Sequence, residues 1–469
     1  MNTKVNHKVK KRERKRKSAK YYKQLERQYK NKRTKDELSL MAYELVKIFN
    51  HQFPDLLKEL QSVCDPRECR YYRIEEIIFA GIALFLFKCG SRNSMDNHTL
   101  SGSFKSNYQK AFGHRLPKMD SVANVLKEMP PDELEQLKQS LVKGLIEKKV
   151  LDKYRFEGML SVAIDGSGIV TFEERHCEHC LEKTSKNEKK TYFHNVLEAK
   201  IVTENGFSIS LCTEWIENPD KEYKKQDCER KAFTRLAEKL KAAYPRLNIC
   251  LCADGLYPYC TFFDKCRDYG WKYIVTMKDG NLKRLWRKII EAEADWQYEE
   301  NPFYEGTCYV QQQIHWINLI PFNGRKHNWI ELIEERVDKN DKYEMDKFVY
   351  LTNIEIDKDN AIDVCKTGRL RWKIEKQGFD QQKNHGYNIC HKYCRKSYAG
   401  LKNFYQCCQI AHMMNQLLEL TKYYGSMLTN KITTKFIWFC IKAFMAFGLI
   451  NSAMIKEIKN HRYQIQYVE

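Results

Sequence analysis

Proline and glycine are scarce in the 469 residues, at 10 and 20, which argues against long flexible linkers between the parts of the chain. Long apolar runs are missing too. The longest, 436–450, is interrupted by Lys442 and is shorter than the ~20 residues a bilayer span requires. The basic start of the sequence is not followed by an apolar stretch, since residues 21–36 stay polar, so no secretion signal is expected. Without secretion, the 18 cysteines read as reduced, mostly core residues rather than a disulfide framework.

What is abundant is positive charge. The formal net charge is +20, and residues 4–35 hold 16 Lys/Arg against Glu13 and Glu26, a net +14. Such an arm is an electrostatic footprint for a polyanion, of which nucleic acid is the commonest. The remaining chain is only mildly basic, and 43% hydrophobic residues are enough for a large buried core.

Apolar periodicity divides the chain. Residues 1–36 form the basic arm. Residues 37–153 are expected to be helical, with apolar residues at helical spacing in 37–50, 74–89, 121–129 and 131–150; this part is either a DNA-binding or a packing domain. Strands follow at 159–164 (MLSVAI), 195–203 (NVLEAKIVT) and 207–213 (FSISLCT), with Glu204-Asn205-Gly206 as a hairpin turn between the last two. A helix at 227–243, a buried strand at 247–253 (LNICLCA), a helix at 261–269 and a strand at 271–277 (WKYIVTM) complete the pattern β-β-β-α-β-α-β. Three strands joined by short turns should pair antiparallel, and the helix-linked strands should run parallel to the first. That is the arrangement of ribonuclease H-like folds. The expected fold class is therefore α/β, a ribonuclease H-like mixed sheet whose first part is 154–281. A β-rich insertion is expected at 282–347, the last core strand (FVYLT, 348–352) and an acid-bearing helix within 348–410, and further helices at 411–469.

Asp165 and Asp254 are each placed at the carboxyl end of an expected strand, where open α/β sheets build their sites. Two carboxylates held together repel each other, and a divalent cation is the usual resolution. A third acid, Glu375, shares a helix face with Arg371, four residues earlier.

The segments IDGSG (164–168), CADGLYP (252–258) and RLRWKIEKQGF (369–379) resemble the three catalytic boxes of cut-and-paste DDE transposases from bacterial insertion sequences. The resemblance covers roughly residues 160–410. It implies that Asp165, Asp254 and Glu375 bind two Mg²⁺ ions, which Mn²⁺ could replace, and catalyse DNA cleavage and strand transfer. It implies double-stranded DNA as partner, both transposon ends and target, and a homodimer in the synaptic complex. No membrane or small-molecule cofactor is involved, and the location would be the bacterial cytoplasm, at the nucleoid. The family's glutamate box places Tyr, Arg and Lys around the acid. Arg371 matches, Gly368 stands at the Tyr position, and Gln382 stands at the Lys position with Lys383 one residue later. Arg371, Lys383, Lys278 and Arg369 are the expected DNA contacts. A nuclease without strand transfer, or a non-catalytic DNA-binding regulator on the same scaffold, would share many of these features.

Two further features stand apart. Glu229 could take the place of the acid that ribonuclease H carries on its first helix. His176-Cys177-Glu178-His179-Cys180 contains half of a zinc site, for which Cys177, Cys180 and His194 are the candidate ligands. No second CxxC accompanies it.

Overall fold

Among the described residues a single ten-stranded sheet runs through the molecule. The computed structural model describes residues 37–468 apart from 39, 220, 221, 279, 430 and 431; the basic arm lies outside them. Helices come first: α1 (40–52), α2 (Leu56–Ser62), α3 (Ile74–Leu86), α4 (Arg92–His98), α5 (Phe104–Phe112), α6 (Met119–Leu126) and α7 (Pro131–Glu147). The last opens with Pro131 in its first turn beside Asp132 and Glu133, where a missing N–H costs nothing and acids favour the helix dipole.

The sheet then begins with β1 (Leu160–Phe172), β2 (Leu181–Thr184), β3 (Lys190–Val202) and β4 (Ser208–Ile216). β3 and β4 form the expected hairpin, with Gly206 at φ +105°, a backbone region in which only glycine is at ease. Next come α8 (Glu229–Ala243), β5 (Ile249–Ala253), α9 (Cys260–Tyr269) and β6 (Lys272–Thr276). β5 is ICLCA, buried at all five positions, as a central parallel strand covered on both faces should be. β1 pairs antiparallel with β3, β3 antiparallel with β4, and β1, β5 and β6 lie parallel to one another.

The insertion does not stand apart from this sheet. After α10 (Lys283–Glu291), β7 (Gln297–Glu305), β8 (Cys308–Phe322), β9 (Arg325–Val337) and β10 (Tyr343–Thr352) form an antiparallel meander, and the end of β10 pairs antiparallel with β6. The full order is β2-β3-β1-β5-β6-β10-β9-β8-β7, with β4 also on β3. The meander thus covers what would be the open edge of β6. Three of its tryptophans pack into the main core: Trp329 is fully buried, with Trp296 at 4.6 Å and Trp286 at 6.4 Å between ring centroids.

The chain closes with α11 (Ala361–Arg369), a π-helical stretch (Ile374–Asp380), α12 (Gln381–Asn384) and α13 (Tyr398–Glu419), followed by α14 (Lys422–Met427), α15 (Thr434–Phe447) and α16 (Ser452–Asn460). α13 is buried along nearly its whole length and packs against α3, α6, α7 and β4. One apolar core therefore joins the early helices, the sheet and the late helices. Among the described residues no helix is long and apolar enough to cross a membrane.

At the junction of these parts lies a buried polar hub. Lys138 of α7 donates to Ser210 Oγ (2.8 Å) and Thr213 Oγ1 (2.9 Å) on β4. These hydroxyls donate in turn to Glu198 Oε2 (2.6 Å) and Oε1 (2.5 Å) on β3, and Tyr405 of α13 donates to Oε1 at 3.0 Å. Lys138 and Glu198 are 1% and 0% exposed, so this network must be satisfied internally.

Candidate active site

The parallel ladder of β1 and β5 pairs Leu160 with Ile249 and continues to Ala163 with Cys252. Two residues further along the chain stand Asp165, still within β1, and Asp254, one residue past the end of β5. Both aspartates therefore stand just beyond the carboxyl end of the β1–β5 ladder, whose last pair is Ala163 with Cys252.

The expected strand end at Asp165 needs correcting. β1 continues through Phe172, because beyond Asp165 it keeps its antiparallel partner β3, with Asp165 opposite Glu198 and Phe172 opposite Tyr192. What ends near Asp165 is the pairing with β5. The side chain therefore projects from the mid-length of a long strand, at the point where its parallel neighbour turns away.

Each acid has a fixed setting. Asp165 Oδ1 accepts from Gly166 N–H at 2.9 Å. Asp254 Oδ1 accepts from Leu256 N–H at 2.8 Å, and its Oδ2 is paired with Lys278 Nζ at 3.1 Å. Glu375 accepts from Arg371 Nη1 at 2.7 Å. Its segment is a π-helical stretch rather than a plain α-helix, a rare feature that recurs at functional sites. Burial and the negative charge of Glu375 push the Asp165 carboxyl up to about 7; Arg371 and the Gly166 N–H oppose the rise, and Glu229 adds to it. Burial followed by the charge of Asp254 raises Glu229.

Glu229 is the first residue of α8, and a Cβ on Gly166 would collide with its carboxylate. Gly166 thus lets a fourth acid approach the backbone of β1. Tyr257 is buried with its hydroxyl unpartnered among the described residues. Burial raises its phenol well above the ordinary value, and the charges of Glu229, Asp165 and Asp254 add to this. The acids therefore converge on one region. Concentrating negative charge in this way is unfavourable without a cation, and an oxygen-only ligand set suits a hard divalent ion.

The acids are not drawn into one tight cluster. Elsewhere in the molecule, ligand atoms of His176, Cys177 and His194 all lie within 4.8 Å of one another.

The expected DNA contacts separate into two groups. Lys278 and Arg371 sit on the carboxylates themselves. Arg369 is turned towards the insertion, where it pairs with Glu334 Oε2 at 3.2 Å and lies 4.5 Å over the Phe348 ring. Lys383, on α12, has its ammonium 6.0 Å from the Phe379 ring. Gln382, at the position where a lysine was sought, is fully buried and exchanges hydrogen bonds with Gln409 of α13 at 2.9 and 3.1 Å. The stretch between Glu375 and Lys383 is π-helical as far as Asp380. Gly368 has an equally local reason: a Cβ there would come within 2.7 Å of the Tyr350 ring and 3.0 Å of Ile274, so no tyrosine fits where α11 crosses the sheet.

Two residues are absent from the sequence-based expectations. Tyr257 lies three residues beyond Asp254, inside the same short segment, and could have been suspected from that proximity. Trp372 is 50% exposed beside the glutamate, with the Arg371 guanidinium 5.8 Å and the Lys376 ammonium 5.9 Å from its ring. Its exposure was not visible in the apolar pattern. Compared with known proteins, the chain matches no family model, and no curated protein sequence resembles it significantly.

Proposed function

We propose that this protein is a DNA transposase of the DDE type, which cuts DNA at the ends of an insertion sequence and joins them to a target. The observation that carries this reading is that Asp165 and Asp254 both stand just beyond the carboxyl end of the parallel β1–β5 ladder, with Glu375 near enough to raise the Asp165 carboxyl. The order β4-β3-β1-β5-β6, three strands antiparallel and then two parallel to the first, supports a ribonuclease H-like core.

Asp165, Asp254 and Glu375 would hold Mg²⁺ or Mn²⁺, with Glu229 adjacent. When bound, two such ions activate a water or a 3′-hydroxyl and stabilise the leaving oxygen in an in-line displacement at phosphorus. The rest falls to the chain. Lys278 and Arg371 hold Asp254 and Glu375 in place and balance their charge while no phosphate is present. On DNA binding, their cations can turn to the phosphates that enter the site. Arg371 Nε is buried and unpartnered among the described residues, a donor available for that exchange. Trp372 offers an exposed ring on which an unpaired base at the cut can stack. The DNA is held in a homodimer that brings two ends together, in the bacterial cytoplasm at the nucleoid.

Strand transfer separates this reading from a nuclease with the same acids. With Mg²⁺ and a duplex bearing the inverted repeats that flank the reading frame, the purified chain is expected to join 3′ ends to target DNA. Cleavage with no joined product would identify a nuclease, and binding with neither would identify a regulator. The arm gives a second expectation. Deleting residues 1–36 should weaken DNA binding and flatten the dependence of log K on log salt, by about 0.9 for each phosphate that the arm neutralises. An unchanged slope in a salt titration would remove the arm from the interface.

A further inference from the structure

Away from the carboxylates, where β1 ends and β2 begins, a second constellation comes together. Cys177 Sγ and Cys180 Sγ are 3.6 Å apart, and His194 Nε2, on β3, lies 3.4 Å from the first and 3.5 Å from the second. Three soft or borderline donors thus form a near-equilateral triangle. Ligands at the usual Zn–S and Zn–N distances in a tetrahedron are separated by roughly 3.5–3.8 Å. The observed edges are within a few tenths of an ångström of that.

The surroundings are built for such a centre. Cys180 and His194 are fully buried. Cys177 N–H points at Cys180 Sγ at 3.4 Å, and Asn218 Nδ2 donates to the Cys180 carbonyl at 2.9 Å, which fixes the turn that holds both thiols. The Tyr398 ring of α13 stacks on His194 at 4.1 Å.

Two histidines compete for the fourth place. His179 is already engaged: its Nδ1 lies 2.8 Å from the Asn218 carbonyl oxygen and its Nε2 3.5 Å from Glu178. His176 is not. Both of its ring nitrogens are buried and unpartnered among the described residues, and one of them lies within 4.8 Å of Cys177 and His194 ligand atoms, a grouping that Cys180 joins only if the His176 ring turns towards it. Buried imidazole nitrogens without partners are costly, and a metal would satisfy one of them.

The geometry points to a structural zinc site formed by Cys177, Cys180, His194 and His176. Two thiolates with two imidazoles favour zinc over the hard ions suited to the carboxylate site. Four protein ligands leave no open position for a substrate, so the centre is a clasp. It ties the end of β1, the start of β2 and β3 together under α13. His176 stacks on Phe172 at 4.4 Å, and the Lys392 ammonium lies 4.8 Å over the Phe172 ring, so the clasp also fixes the base of a basic surface that includes Arg175, Arg395 and Lys396.

The test uses the full chain purified from zinc-supplemented cells and does not depend on DNA activity. Elemental analysis should find one zinc per chain, and exchange to Co²⁺ should give the visible bands of a tetrahedral thiolate centre with thiolate-to-metal charge transfer. Cys177→Ser and Cys180→Ser should lose the metal, His176→Ala should weaken its retention against a chelator, and His179→Ala should keep it. Removing the metal from the wild type should lower its melting temperature, a readout that needs no variant. The proposal is overturned by wild-type protein without zinc or Co²⁺ bands, by a Cys177–Cys180 disulfide in freshly purified protein, or by stoichiometric zinc in the Cys177→Ser variant.

Discussion

Asp165→Ala and Asp254→Ala should each reduce Mg²⁺-dependent DNA cleavage by about a thousandfold or more, the scale on which a principal source of transition-state charge stabilisation is lost. DNA binding should be little changed, because the arm and the basic surfaces remain. The structure adds an order among the four acids. Glu375→Gln should be nearly as severe as the aspartate changes, since Glu375 is the first charge felt by Asp165 after burial. Glu229→Gln should retain measurable cleavage, because Glu229 stands at the side of the set, against Gly166. Cleavage assays on end-bearing duplexes, with binding measured in parallel, decide this. Undiminished cleavage by Asp165→Ala would remove the site from the mechanism.

The second large effect concerns stability. Lys138→Met removes the buried cation from the hub while leaving Glu198 fully buried. Stripping one partner from a buried charged network costs about 3–5 kcal/mol, mostly because the other charge is left uncompensated. Lys200, a second buried cation that feels the charge of Glu198, has its ammonium on Gln409 at 2.7 Å and does not replace the hydroxyl bridge. The denaturant midpoint of Lys138→Met should therefore fall sharply, and Lys138→Met combined with Glu198→Met should recover part of the loss. A single variant as stable as the wild type would mean that the hub contributes specificity rather than stability.

Much of this architecture was legible in periodicity. The run LNICLCA announces a central strand because both of its faces are apolar, and the turn Glu204-Asn205-Gly206 announces a hairpin because glycine is needed at its φ. Long-range pairing was not legible. Nothing local in β1 says that it keeps β3 as a partner beyond Asp165, or that β10 will cap the edge of β6. β2 and β7 were missed because their residues are largely exposed and carry no apolar alternation. Asp165 and Asp254 could be proposed from their places at expected strand ends and Glu375 from the resemblance of its segment, but the Glu229–Gly166 contact depends on α8 returning to β1. The π-helical stretch around Glu375 was hidden because its sequence has ordinary α-helical character.

The placement of α13 has a consequence for synthesis. The early helices surround it, yet it is made about 250 residues after α7 ends. At usual translation rates that is a delay on the order of tens of seconds. During that interval the helices of 40–147 have an unfilled apolar centre, and a chain truncated before residue 398 would keep that defect permanently. The catalytic segment with Glu375 leaves the ribosome just ahead of α13, so the glutamate and the central helix complete the molecule together.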